Sequence, residues 1–148
     1  MAADAWKIYD SFKEKMADGT LDLDGDTFKC ALFTSSLTPV QTDDDYSALS
    51  NEVANGNGYA TGGETLASVT WADSSGTVTF DADDIDWTAS GGSIVGRYAI
   101  IYDDTDAGKQ LVAMCLMDNA PADVTVTDGN TLTLQLHANG IFQLSGGW

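Results

Sequence analysis

The residues of this chain that could do chemistry are mostly aspartates, and their spacing offers one kind of chemistry, the binding of a hard cation. Asp22-Leu23-Asp24-Gly25-Asp26 sets carboxylates around a glycine as a calcium loop does. The helix–loop–helix form of that loop needs a bidentate glutamate at its twelfth position, and counting from Asp22 the residue there is Phe33. A strand pattern follows where a helix should, so the run reads as a turn without metal. A second group, Asp81, Asp83, Asp84 and Asp86, lies in an alternating stretch that sets Asp84 and Asp86 opposite Ile85 and Trp87. Charges so placed read most simply as a solvated strand edge that resists edge-to-edge pairing.

His137 is the sole histidine. With Thr131, Thr133 and Gln135 it takes the outward side of a strand whose Leu132, Leu134 and Leu136 point inward. A centre of nitrogen ligands needs a second histidine, and a Ser-His-Asp site would have to use this one without a nucleophile-elbow motif. Gly56, Gly58, Gly62 and Gly63 do not stand between a strand and a helix, the context of a phosphate cradle. With 23 acidic residues, no carboxylate pair singles itself out for glycoside cleavage. The expectation is a protein with no catalytic residue, no cofactor and no obligatory metal. Cys30 and Cys115 fall inside apolar strand patterns and read as small buried hydrophobes kept reduced; spacing alone leaves a disulfide between them open.

The elements that position these residues are organised around residues 93–118. Two strands are predicted there, over 94–102 and 109–117, joined by a turn over 103–108. Ile94, Tyr98, Ile100 and Tyr102 share one face of the first, and Val95, Ala99 and Ile101 the other. In the second, Leu111, Ala113, Cys115 and Met117 oppose Val112, Met114 and Leu116. Strands apolar on both faces must be covered on both, so a buried central hairpin is expected, with Ile100 and Met114 deep inside.

Before it, Ala5, Tyr9, Phe12 and Met16 recur at helical spacing, which predicts a helix over 4–16 with Asp4 as N-cap and Gly19 closing the C-terminus. A strand is predicted over 27–34. The polar stretch 35–63 reads as a long loop, functional or mobile, with a brief helical turn near 46–51. Further strands are expected over 65–71, 77–81, 85–89, 124–127, 131–137 and 141–144, with Asp128-Gly129-Asn130 as a hairpin turn. This spacing argues for an all-β, antiparallel β-sandwich or barrel-like single domain with one short N-terminal helix. Residues 1–20 would be a helical arm and 21–148 the β domain. Trp71 and Trp87 fall in strands, as core or sheet-face residues. Trp6 and Trp148 either pack at the ends of the domain or dock on a partner.

The 23 acidic residues stand against 6 basic ones, a net charge of −17 that repels nucleic acid and anionic membranes. The start of the chain lacks the basic and apolar regions of a signal peptide, and no apolar run reaches the length of a membrane span. Synthesis in the cytoplasm and a soluble product are expected.

Several stretches carry a family likeness: Asp26-Thr27-Phe28-Lys29-Cys30-Ala31-Leu32 after the helix, Asn57-Gly58-Tyr59-Ala60-Thr61-Gly62-Gly63, and Ala99-Ile100-Ile101-Tyr102-Asp103. Asp128-Gly129-Asn130-Thr131-Leu132-Thr133-Leu134 and Asn139-Gly140-Ile141-Phe142-Gln143-Leu144 complete the set. Over nearly its full length the chain resembles a family of small virion proteins of long-tailed bacteriophages. The resemblance implies a structural protein of the particle, a capsid decoration (cement) protein, with no catalytic residues to carry over. The major capsid protein and other copies of the chain are the partners it implies, and the capsid exterior the location. A tail-tip or fibre module touching a host glycan is the competing reading; the absence of repeats or a coiled shaft favours the capsid. Taken with the charge asymmetry, the resemblance makes Trp6, Tyr9, Phe12, Lys13 and Trp148 the candidate interface. The alternative for the helix is that it only covers the sheet of its own domain.

Overall fold

Two strands with apolar side chains on both faces cannot lie at a surface, and they lie at the centre of the largest sheet. The structure is a computed structural model describing residues 3–147. These residues form one helix, α1 (Asp10–Ala17), and twelve short strands. The first six strands are β1 (Lys7–Ile8), β2 (Phe28–Phe33), β3 (Glu64–Thr65), β4 (Thr70–Ser74), β5 (Thr77–Asp81) and β6 (Ile85–Thr88). The rest are β7 (Ile94–Gly96), β8 (Tyr98–Asp103), β9 (Leu111–Leu116), β10 (Val124–Val126), β11 (Thr131–Leu134) and β12 (Phe142–Ser145). Every ladder is antiparallel. The order is β1-β9-β8-β2-β3 in the main sheet and β12-β5-β4 in a second, with β10-β7 and β11-β6 as two-stranded ladders. The chain is thus all-β with one short helix. Its arrangement is sandwich-like, the main sheet meeting the second where Phe28 of β2 lies edge-on to Phe80 of β5 at 5.1 Å.

The expected central hairpin is present as β8 and β9, paired from Tyr98↔Leu116 to Tyr102↔Leu111. The register shifts between Ile101 and Tyr102, which leaves Val112 as an extra residue on β9. Ile100 has no exposed surface. Met114, expected beside it in depth, is only partly buried, because its side chain lines an open groove beside β1. The strand predicted over 94–102 divides at Arg97: β7 leaves the main sheet to pair with β10. Arg97 N–H donates to the Phe33 carbonyl at 2.7 Å, and its guanidinium reaches Asp123 at 2.8 Å.

The N-terminal segment corrects the expected arm. Residues near Lys7 are extended, not helical: β1 pairs Lys7 with Met114 and Ile8 with Ala113. Helix α1 begins only at Asp10, with Tyr9 as an N-cap that makes no side-chain cap bond, so Asp4 caps nothing here. Phe12 is buried against Phe142 of β12, centroid to centroid 5.5 Å, which makes the helix part of the domain. Residues 128–130 do form a turn, Asn130 N–H to the Thr127 carbonyl at 3.0 Å, but it closes no hairpin. The strands it joins pair elsewhere, β10 with β7 and β11 with β6.

The long loop 35–63 is pinned along its length. Tyr46, in a single 3-10 turn, stacks on Tyr102 of β8 with centroids 4.3 Å apart. Val53 N–H donates to the Leu32 carbonyl at 2.8 Å. Glu52 gathers the Tyr59 hydroxyl at 2.6 Å, the Gly62 N–H at 2.6 Å and the Tyr46 hydroxyl. Gly63 lets the loop lie on β2: a Cβ there would sit 1.8 Å from the Cys30 carbonyl oxygen, and its φ is +73°. Gln110, fully buried, donates from its amide to Ser11 Oγ and the Asp44 carbonyl at 2.9 Å each, and accepts from Lys15 Nζ. One side chain thereby joins β9, α1 and the loop. No helix among the described residues is long and apolar enough to cross a membrane.

Candidate docking surface at the N-terminal edge

Extended backbone at residues 4–9 follows from the side chains: Trp6, Ile8 and the residues between them alternate between cover and solvent, as an edge strand requires. Asp4 N–H donates to the Leu116 carbonyl at 2.9 Å and Tyr9 N–H to the Val112 carbonyl at 3.1 Å, extending the β1 pairing along β9. The chain then turns into α1. Asp10 N–H binds the Gln41 carbonyl at 3.0 Å and the Gln41 amide returns to Asp10 Oδ1 at 2.8 Å, drawing residues 39–41 alongside.

Between β1, α1 and that segment lies a groove of about 590 Å³. Ile8, Val40 and Met114 supply apolar walls, Lys7 and Lys13 the cationic rim, and Tyr9 the floor. Among the described residues none of its lining is acidic. Val40 is 48% exposed although apolar. Lys7 meets Asp4 at 3.0 Å and Lys13 meets Asp10 at 2.8 Å, exposed pairs that leave both ammonium groups open to another partner. These lysines hold the Asp4 and Asp10 carboxyls below the usual range. The Tyr9 hydroxyl is buried and has no partner. Burial, and then the charge of Asp43, push its pKa well above that of a free phenol, so it offers a proton and needs an acceptor.

The five candidate interface residues separate. Lys13 and Tyr9 meet at the groove. Trp6 is half-buried and lines a second, larger groove of about 960 Å³ with Leu134, Leu136 and Phe142. Phe12 lies in the core and presents no surface, which corrects its place among docking residues. Trp148 lies outside the described residues. Val40 and Met114 were not legible as groove residues, since only the tertiary fold brings them to β1.

The other candidates stay apart. Asp22–Asp26 closes on itself, Asp22 N–H to Asp26 Oδ2 at 2.8 Å. Asp84 accepts from Leu136 N–H at 2.9 Å and Asp83 from Ser68 Oγ at 2.6 Å in the connections beside the strands, and Asp86 accepts from Thr133 Oγ1, its partner across β6 and β11. His137 is exposed and its Nδ1 accepts from Asn139 N–H at 3.0 Å. Among the described residues no group of three or more His, Cys, Asp or Glu side chains is placed to hold a metal ion. Cys30 and Cys115 are both buried and both free, so the disulfide left open by their spacing does not form. Compared with protein-family models, curated proteins and solved structures, the chain matches none.

Proposed function

We propose that this chain is a non-enzymatic structural protein of a bacteriophage particle, a decoration protein that clamps the major capsid protein on the outside of the shell. The observation that carries the reading is the groove beside β1, whose lining is cationic and apolar on a molecule of net charge −17. Its occupant would be a capsid segment that pairs an apolar side chain with a carboxylate. The apolar group would pack on Ile8, Val40 and Met114, and the carboxylate would sit between Lys7 and Lys13. The resemblance to virion proteins supports the same partner. Many copies on one shell, touching one another as a homo-oligomer or lattice, would make modest single-site affinity sufficient.

The test adds purified wild type, Val40→Asp/Lys13→Glu and Trp6→Ala to capsids lacking the protein, and measures bound copies with each variant's melting temperature. Wild type should bind, and the Val40→Asp/Lys13→Glu variant should lose binding at unchanged stability. Binding equal to wild type would remove the groove from the proposal. Wild type that ignores capsids and labels tail tips would replace the cement reading with the host-binding one.

A further inference from the structure

Asp103, the last residue of β8, has no exposed surface. Its Oδ1 accepts from Thr105 N–H at 2.7 Å and Asp106 N–H at 3.1 Å, shaping the turn into β9. Its Oδ2 is buried and has no partner. The Asp103 carboxyl is within hydrogen-bonding reach of that of Asp26, itself held by Asp22 N–H at 2.8 Å. The backbone keeps the two segments together: Asp104 N–H donates to the Thr27 carbonyl at 2.8 Å, and Thr27 N–H to Thr105 Oγ1 at 2.8 Å. Two ionised carboxylates so held are both acceptors and repel; one proton between them turns the contact into a hydrogen bond.

We infer that Asp103 and Asp26 share a proton and form a latch between the 22–26 turn and the β8–β9 turn, closed in mildly acidic solution and loosened when the proton leaves. The surroundings leave Asp26 as the charge that matters. Asp104 is engaged by Lys109, Asp106 turns back to Gly108 N–H, and the strand neighbours of Asp103 are Phe28 on β2 and the uncharged Gln110 at the start of β9. Burial first, and then Asp26, push the Asp103 carboxyl up from 3.8 to about 6. The folded chain therefore binds this proton more tightly than the unfolded one. The stabilisation is complete below about pH 4 and is lost as pH rises through about 6.

The test compares thermal unfolding of wild type, Asp103→Asn and Asp26→Asn from pH 4.5 to 8, with and without calcium. An asparagine at 103 keeps an acceptor for Thr105 and Asp106 and donates permanently to Asp26, so it imitates the closed latch. Its melting temperature should stay close to wild type at the acidic end and exceed it by several degrees at pH 7.5. Asp26→Asn should flatten the profile likewise. Amide exchange at Thr105 and Asp106, corrected for intrinsic pH dependence, should accelerate severalfold across pH 6 in wild type and in neither variant. Parallel profiles for all three proteins would overturn the inference. So would a calcium-induced rise in the wild-type melting temperature at pH 7.5 that Asp103→Asn abolishes, since the pair would then hold a cation.

Discussion

Phe12 on the N-terminal helix meets Phe142 on the last strand edge to face, ring centroids 5.5 Å apart and planes at 81°. Phe142 in turn lies 5.5 Å from both Trp71 and Phe80, so the helix is fastened to the second sheet through one aromatic cluster. Phe12→Ala should cost about 3–5 kcal/mol, the range for removing a buried phenylalanine. Lys13→Glu, one residue on and exposed, should change stability little. Denaturant unfolding of the two variants checks the contrast; equal losses would mean that the helix does not face inward as described.

Ile100 lies mid-sheet with no exposed surface, opposite Ala31 on one side and Met114 on the other. Ile100→Asp would bury an uncompensated charge and should cost several kcal/mol, enough to unfold a marginal domain. Met114→Ala, at the wall of the groove, should cost less than the ~2–5 kcal/mol of a fully buried methionine or leucine. A melting temperature unchanged by Ile100→Asp would refute the buried hairpin.

Tyr9, Tyr46, Tyr59 and Tyr102 all have phenols pushed above the usual 10.0, chiefly by burial, and at Tyr46 and Tyr59 next by the bond each donates to Glu52. The folded chain holds these protons more tightly than the unfolded one. Their contribution is whole below pH 10 and declines as pH rises beyond it. In an alkaline titration, phenolate absorbance from these four should appear together with loss of the circular dichroism signal. Phenolates of these four that form while the fold persists would contradict the burial of Tyr59 against β2, where its hydroxyl accepts from Leu32 N–H at 3.0 Å.

Burial raises the thiol pKa of both cysteines, that of Cys115 to about 12. Neither should react with a disulfide reagent in the native protein, and both should react once the chain is unfolded. Rapid labelling of one thiol under native conditions would show that its strand opens locally.

What could be read from residue order was whatever local pattern decides. β8 and β9 are legible because only an interior strand carries apolar side chains on both faces, and β5, β6 and β11 because alternation survives in them. β1 is not, because Ala5, Tyr9, Phe12 and Met16 fit a helix while Trp6 and Ile8 fit a strand, and the partner that decides lies on β9. Asp128-Gly129-Asn130 specifies a reversal of the chain but not which strands pair afterwards. The groove and the Asp26–Asp103 contact join segments remote in sequence, and nothing local marks either. Asp103 looked like one more turn aspartate, and only its burial distinguishes it.

β1 takes its place beside β9, and α1 its cover from β12, although each pair is separated by most of the chain. During synthesis Lys7 and Ile8 have nothing to pair with until β9 has left the ribosome, and the Phe12 ring stays bare until Phe142 follows. The main sheet therefore cannot assemble from the N-terminus forward. Its β1–β9 and β2–β8 ladders join segments distant in sequence, the kind of contact that forms slowly. A chain stalled between β9 and β12 would carry a finished central sheet beside an uncovered aromatic surface, a species inclined to aggregate before it can fold.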